Sequence, residues 1–175
     1  MSILNEIDEI LSKPNFKIFV DMDGVLCWWE KAFTDLGPEL TKGLDGLEYE
    51  KKFGRDQLWD MVAKEGKLEF WSEMPWMTDG KKLWNYVKKF NPTILTTPAK
   101  SKFCKEGKKI WIARELGEDI PYIFEKEKWK YADMNSILID DYHKKIDDWI
   151  NKGDGIGILF TSADETIKKL KEMGL

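Results

Sequence analysis

The chain of 175 residues has few of the residues from which cross-linked scaffolds and imidazole metal sites are built. It has two cysteines, Cys27 and Cys104, and one histidine, His143. Two cysteines do not form the spaced framework of a disulfide-stapled protein, and they suit a reducing compartment. A lone histidine cannot supply a histidine metal cage. Any metal bound here must therefore take other ligands.

The chain also lacks long apolar runs and an excess of positive charge. No apolar stretch approaches the length of a membrane span, and the first residues, MSILNEIDEILSK, lack the basic start and apolar middle of a signal peptide. We therefore expect a cytoplasmic protein with no membrane partner. The net charge of −4 argues against a stable nucleic-acid partner. Lysine clusters such as KSKFCKEGKK are interpreted as solvated helix faces.

Short apolar segments alternate with helical patterns along most of the chain. A hydrophobic fraction of 42% with 34% charged residues is typical of one globular domain of this length. Continuously apolar strands that alternate with helices predict an α/β fold with a Rossmann-like parallel sheet covered on both faces. The predicted strands are 16–21, 93–96, 121–124, 136–140 and 156–160, and the predicted helices include 2–12, one from about 79, one around 103–111 and one after Ser162.

Residues 28–78 interrupt this rhythm. They contain five of the nine tryptophans and five glycines, with helical patterns near 29–36 and 55–65. We interpret this segment as a small, mainly helical cap inserted after the first strand. The predicted organisation is a core of residues 1–27 and 79–175 and an aromatic-rich cap of residues 28–78.

Polar residues follow three of the predicted strands. The first strand ends at Asp21-Met22-Asp23-Gly24, the second at Thr96-Thr97 and the fourth at Asp140-Asp141. Ligands of open parallel sheets bind beyond the carboxyl ends of the strands, so these endings predict one shared site. Carboxylates from two strands form a set of hard oxygen ligands suited to Mg²⁺. A bound cation also explains how the carboxylates stay ionised at close range.

In this order, DMDGVL, ILTT and a lysine upstream of ILIDD resemble the four motifs of the haloacid dehalogenase (HAD) superfamily of phosphohydrolases. The resemblance covers residues 16–160. FWSEMPW, LTTPAK and ILIDD, together with the aromatic insertion, are similar to the 5′(3′)-deoxyribonucleotidase branch. The resemblance implies the HAD-like fold, a magnesium cofactor and the hydrolysis of phosphate monoesters.

The resemblance also implies roles for individual residues. Asp21 would be the nucleophile that forms an aspartyl-phosphate, and Asp23 the acid and base for the leaving oxygen and the water. Thr96 would donate to a phosphoryl oxygen. The predicted metal ligands are Asp21, Asp23 through its carbonyl, and Asp141, with Asp140 as a neighbouring or alternative ligand.

A lysine is expected to offset charge on the transferring phosphoryl group. The segment EKEKWKYADMNS offers Lys126, Lys128 and Lys130. Sequences of the family that this chain resembles have a lysine a few residues before a YA-like pair, which favours Lys128, whereas the spacing back from IDD in the mammalian enzymes of that family favours Lys130. Lys128 is the predicted residue and Lys130 the alternative.

The expected substrate is a small phosphomonoester, most simply a nucleoside monophosphate. The predicted substrate contacts are Met22, Gly24, Trp28, Trp29, Thr97 and Trp71. For the cap aromatics beyond Trp28 and Trp29, local core is favoured over a base-stacking wall, since a small insertion needs large side chains to bury anything. Alternative functions are a HAD phosphatase for sugar phosphates or nucleic-acid ends, and a non-catalytic nucleotide-binding protein.

Overall fold

The computed structural model describes residues 16–175, and the predicted helix over 2–12 lies outside this range. Within it, five strands form a sheet of order β3-β2-β1-β4-β5 in which every neighbouring pair is parallel. The predicted α/β class and parallel sheet are confirmed. The strands are β1 (Lys17–Val20), β2 (Thr93–Thr96), β3 (Tyr122–Phe124), β4 (Ser136–Asp140) and β5 (Ile156–Leu159).

Alternate residues of the strands enter two apolar clusters, one on each face of the sheet. Phe19, Leu95 and Leu138 belong to a smaller cluster with Ile146 and Trp149. The intervening residues, among them Ile18, Val20, Ile94, Ile137 and Ile139, belong to the main core. Because side chains alternate along a strand, this division means that both faces are covered, which explains why the strands read as continuously apolar.

Helices of the predicted core follow the strands in sequence. They are α6 (Gly80–Val87), α7 (Cys104–Glu115), α8 (His143–Gly153) and α9 (Ala163–Glu172). The helix expected after Ser162 is present, and Ser162 caps it, since its side chain accepts a hydrogen bond from the Glu165 N–H at 3.2 Å. Short 3₁₀ turns cover Lys88–Phe90 and Lys128–Tyr131, and the second of these carries site residues.

Five helices lie between β1 and α6: α1 (Trp29–Thr34), α2 (Pro38–Thr41), α3 (Gly46–Phe53), α4 (Arg55–Glu65) and α5 (Leu68–Ser72). The helical patterns near 29–36 and 55–65 predicted α1 and α4, and the other three helices were not predicted. The sequence does contain a signal for α3, because Asp45 and Glu48 form a reciprocal capping box. The insertion after the first strand is mainly helical, as expected.

The two connections between this insertion and the sheet run side by side. The Trp28 N–H donates to the Pro75 carbonyl at 2.7 Å, and the Met77 N–H donates to the Leu26 carbonyl at 2.8 Å. Paired connections are compatible with the predicted cap of residues 28–78, and this division stays a prediction.

The last part of the insertion packs closely on α7. A Cβ on Gly107 would lie 2.4 Å from the Cβ of Trp71, so the two helices approach as closely as a glycine permits. The indole of Trp111 donates to the Met74 carbonyl at 2.7 Å, and that of Trp76 donates to Glu115 at 2.7 Å. These contacts fix α5 against the helix that follows β2.

Candidate active site

The predicted polar strand ends meet at one edge of the sheet. β1 lies between β2 and β4, so its carboxyl end is adjacent to both of theirs. The Asp21 N–H donates to the Ile139 carbonyl at 3.0 Å, which places Asp21 beside Asp140. The strand order reverses between β1 and β4, and a crevice at such a reversal is where open α/β sheets bind ligands.

Lys128 lies in the 3₁₀ turn after β3 and reaches the carboxylates at this edge. Its Nζ is 2.6 Å from Oδ2 of Asp140, to which it donates a hydrogen bond, and 2.7 Å from Oδ1 of Asp21. The second contact is an ion pair without hydrogen-bond geometry. Burial alone would lower the pKa of Lys128, but Asp21 and Asp140 raise it above its usual value. The ammonium therefore stays charged.

The alternative residue, Lys130, lies elsewhere. It is exposed, and its Nζ contacts Glu127 at the surface of the same turn. The structure therefore brings Lys128, and not Lys130, to the aspartates. The reason is local geometry, since Lys128 is the buried residue of the 3₁₀ turn while Lys130 points away from it.

Three carboxylates could hold a cation. One oxygen each of Asp21, Asp140 and Asp141 lies within 4.8 Å of the others. Asp140 uses its oxygens locally, because Oδ2 accepts from Lys128 and Oδ1 accepts from the Tyr142 N–H. Asp141 has no such cationic partner among residues 16–175. Burial raises its pKa to about 7, with further contributions from Asp21 and Asp140. Carboxylate oxygens whose charge is not balanced by a nearby cation fit Mg²⁺. Asp141 is more available than Asp140 to bind such an ion, because the oxygens of Asp140 already accept hydrogen bonds.

A second buried lysine, which was not predicted from the sequence, contacts Asp23. Lys108 of α7 is fully buried, and its Nζ donates to Oδ2 of Asp23 at 2.6 Å and to Oγ1 of Thr96 at 2.8 Å. The Thr97 carbonyl oxygen is 3.4 Å away. Burial alone would lower the pKa of Lys108, but Asp23 raises it, so this ammonium also stays charged.

A sequence signal for Lys108 was available. The buried residues of α7 are Cys104, Gly107, Lys108, Trp111 and Ile112, which recur with helical spacing. A lysine at position i+4 of this apolar stripe must be buried when the helix packs, and a buried ammonium needs a carboxylate partner. The lysine-rich segment was instead interpreted as a solvated face, which holds for its neighbours Lys105 and Lys109.

The two threonines after β2 differ in exposure and in hydrogen bonding. Thr96 is fully buried and accepts from Lys108. Thr97 is half-buried, and its hydroxyl donates to the Glu125 carbonyl at 3.3 Å. Thr97 therefore already uses its proton, whereas the Thr96 hydroxyl donates to no acceptor that the structure describes.

A cleft of about 1090 Å³ opens above the aspartates, between the sheet edge and the insertion. Its lining includes most of the predicted site: Asp21, Asp23, Gly24, Trp28, Trp29, Thr97, Lys128, Asp140 and Asp141. Trp59, for which local core was the favoured interpretation, also lines it. Trp29 and Trp59 form a tilted aromatic pair with ring centroids 5.3 Å apart.

Two predicted substrate contacts are not in the cleft. Trp71 is 1% exposed, because α5 packs it between Phe70 and the Lys108 region of α7. The side chain of Met22 is fully buried in the main core, since it points away from the cleft that its neighbours Asp21 and Asp23 face. The structure therefore does not bring the side chains of Met22 and Trp71 into the cleft with the other predicted substrate contacts.

The electrostatics of Asp23 suit a proton carrier. Burial raises its pKa and the nearby Asp21 raises it further, while Lys108 opposes both. Cys27, which follows the same turn, is buried, and burial raises the pKa of its thiol well above the usual value. A buried thiol with a raised pKa is a poor nucleophile.

Comparison with known proteins finds a similar fold in structures that are described as hydrolases or phosphatases. A hydrolase from Streptococcus pneumoniae has a TM-score of 0.59 at 11% identity, over 89% of this chain and 97% of the other. A structure from Lactobacillus plantarum assigned as a phosphoglycolate phosphatase has a TM-score of 0.54 at 10% identity, over 87% and 97%. A hydrolase from Pseudomonas syringae has a TM-score of 0.53 at 10% identity, over 90% of each chain.

No protein-family model matches the chain, and no curated protein matches it. At identities of 10–11% the structural similarity establishes the fold alone, an α/β fold that these structures share. The activity has to be argued from the residues of the cleft. No helix among residues 16–175 has the length and apolar character to cross a membrane.

Proposed function

We propose that the protein is a Mg²⁺-dependent phosphomonoesterase of the HAD superfamily that acts on nucleoside monophosphates. The observation that carries the proposal is the meeting of Asp21, Asp23, Lys128 and Asp141 in one cleft at the carboxyl ends of β1 and β4. A nucleophilic carboxylate, a proton carrier and a buried cation are what transfer of a phosphoryl group requires.

Asp21 attacks the phosphorus through a carboxylate oxygen, and the bond from phosphorus to the ester oxygen breaks. Asp23 gives its proton to that leaving oxygen. A water then attacks the phosphorus of the aspartyl-phosphate and gives a proton back to Asp23, and the bond from phosphorus to Asp21 breaks. This sequence releases inorganic phosphate and restores both carboxyl groups.

Charge around the phosphoryl group is balanced by cations on the core. Lys128 lies 2.7 Å from the nucleophile and offsets the charge of the transferring group. When bound, Mg²⁺ held by Asp21, Asp141 and the Asp23 carbonyl supplies further positive charge to the phosphoryl oxygens. Exposed lysines at positions 100, 126 and 144 line the cleft and favour the approach of a phosphate dianion.

The aromatic wall of the cleft supports a nucleotide as the substrate. Trp28 is 40% exposed and lines the cleft together with Trp29 and Trp59. An exposed indole offers a flat apolar surface on which a base can stack whatever its identity. The cleft volume of about 1090 Å³ exceeds what a phosphate alone needs and accommodates a nucleoside.

A sugar phosphate is the second candidate substrate. The insertion also lines the cleft with Glu30, Arg55, Asp56 and Asp60, which are polar groups of the kind that bind sugar hydroxyls. The fold is shared with the Lactobacillus plantarum structure assigned as a phosphoglycolate phosphatase. Because of these observations, sugar phosphates and other small phosphorylated metabolites should be tested as substrates beside nucleotides.

A substrate panel with and without Mg²⁺ tests the proposal. We expect dUMP or dTMP to be hydrolysed faster than sugar phosphates, phosphoglycolate or 3′-phosphate ends of DNA. Activity should vanish with EDTA and in Asp21→Asn, and persist in Asp154→Asn, an exposed aspartate at the end of α8. Unchanged turnover in Asp21→Asn contradicts the mechanism, and nucleotide binding without turnover in the wild type indicates a binding protein.

A further inference from the structure

We infer that Lys108 is a positioning residue for phosphate-ester cleavage, which fixes the carboxyl group of Asp23 and the hydroxyl of Thr96. The inference rests on the proposed function. It assigns a purpose to the fully buried cation of α7, which the mechanism above does not use.

The Lys108 ammonium is placed by several contacts at once. It has three N–H donors, and the acceptors nearby are Asp23 Oδ2 at 2.6 Å, Thr96 Oγ1 at 2.8 Å and the Thr97 carbonyl at 3.4 Å. The side chain is fully buried between α7 and β2, and the ring centroid of Trp71 lies 5.9 Å from its Nζ. A buried ammonium with these contacts has little freedom to move.

The hydrogen bond from Lys108 makes the two carboxyl oxygens of Asp23 differ from each other. Oδ2 accepts from Lys108, whereas Oδ1 is buried and accepts no hydrogen bond from the residues that the structure describes. A proton carried by Asp23 is therefore carried on Oδ1, because Oδ2 already accepts from a charged donor. When Asp23 has given up that proton, the ammonium compensates the carboxylate charge that remains.

The same contact sets the direction of the Thr96 hydroxyl. An ammonium has no lone pair, so Thr96 Oγ1 can only accept from Lys108. Its own proton is then left to be donated elsewhere, as the predicted contact to a phosphoryl oxygen requires. Lys108 thus links Asp23, which lines the cleft, to Thr96, which like Lys108 is fully buried and does not line it.

If Lys108 acts through Asp23, its removal should affect the hydrolysis of some phosphate esters more than that of others. Loss of Lys108 should slow esters whose leaving oxygen needs a proton more than esters whose leaving group is a stable anion. In Lys108→Met we expect kcat/KM to fall about 10²-fold for a nucleoside monophosphate and less than about 10-fold for 4-nitrophenyl phosphate. The ratio kcat/KM is used because it covers the steps through phosphoryl transfer to Asp21.

Further variants separate positioning from a general loss of structure. Lys109→Met removes the exposed lysine next along α7, whose Nζ lies 3.7 Å from Glu106, and should leave both rates unchanged. Asp23→Asn alone should already slow the nucleoside monophosphate more than 4-nitrophenyl phosphate, and in that background Lys108→Met should add no further selective loss. If thermal unfolding shows that Lys108→Met does not fold, the two esters are compared in Lys108→Gln instead, because glutamine keeps an N–H donor.

The outcomes separate this inference from the proposed function. Equal losses on the two esters, or rates like those of the wild type, overturn the positioning role while the hydrolase stands. A wild-type protein that hydrolyses neither ester overturns the proposed function and the inference with it. Selective loss on the nucleoside monophosphate that disappears in the Asp23→Asn background supports Lys108 as the residue that places Asp23.

Discussion

Gly24 lies directly against the carboxylate of Asp141: a Cβ built on Gly24 would be 2.0 Å from Asp141 Oδ2. The φ angle of Gly24 is +80°, which residues with side chains rarely adopt. Gly24→Ala should therefore displace Asp141 in addition to straining the turn after β1. We expect a loss of Mg²⁺ binding of at least about 10-fold, measured by calorimetric titration.

Gly43 provides the matched control for this substitution. It has a φ angle of +70°, but a Cβ built there meets nothing within 4 Å. Gly43→Ala should cost about 1 kcal/mol of stability through backbone strain and leave Mg²⁺ affinity unchanged. Equal Mg²⁺ affinities in the two variants would show that Asp141 does not depend on the approach of Gly24.

Removal of the Lys128 charge should affect stability and activity together. Lys128→Met leaves Asp21 and Asp140 without their shared cation in a buried site. We expect the free energy of unfolding to fall by about 3 kcal/mol in urea denaturation, and kcat/KM to fall at least about 10³-fold.

The matched control is Lys130→Met, two residues along the same 3₁₀ turn. Lys130 is exposed and pairs only with Glu127 among the described residues. Its replacement should change stability by less than about 0.5 kcal/mol and leave activity intact. A variant of Lys130 with the larger loss of activity would restore the alternative assignment.

The raised pKa of Asp141 makes the effect of Mg²⁺ on protein stability depend on pH. Its pKa is about 7 in the folded protein against an ordinary value of 3.8, so between these values the folded state holds a proton that the unfolded chain has lost. The contribution of Asp141 to the stability of the metal-free protein should therefore fall as the pH rises from about 4 to about 7. Mg²⁺ competes with that proton, so its stabilising effect should be largest above about pH 7.

Thermal unfolding with and without Mg²⁺ at about pH 5.5 and about pH 8 measures this effect. We expect the larger increase in Tm at the higher pH, and little increase at either pH in Asp141→Asn. The same increase in Tm at both pH values would argue against Asp141 as a ligand that loses a proton on binding Mg²⁺.

Two tryptophans of the insertion should respond to substitution in opposite ways. Trp71 is 1% exposed and packs on α7, so Trp71→Ala should cost about 3 to 5 kcal/mol of stability. Trp28 is 40% exposed in the cleft, so Trp28→Ala should leave stability within about 1 kcal/mol and raise KM for a nucleoside monophosphate about 10-fold.

Inhibition by inorganic phosphate is the control for Trp28, because phosphate has no base to stack. Its inhibition constant should be the same in Trp28→Ala and in the wild type. An equal loss of affinity for phosphate and for the nucleotide would place Trp28 near the phosphate site and would remove the evidence for base stacking.

The sequence was sufficient to predict the sheet and the acids at its edge. Apolar runs ending in Asp21 and in Asp140 reported the strand ends directly, because a parallel sheet buried on both faces needs continuously apolar strands. It was less informative about the insertion, where short helices such as α2 and α5 have too few residues to show a hydrophobic period.

By itself, then, the sequence determined which residues end the strands and carry the charges. Only the tertiary structure decided their partners, because Lys108 and Trp71 owe their environment to the packing of α5 on α7, which are distant in sequence. It also distinguished Lys128 from Lys130, since the direction of a side chain in a 3₁₀ turn depends on what the turn packs against. Patterns along a chain report burial, whereas contacts between buried charges depend on how elements far apart in the chain come together.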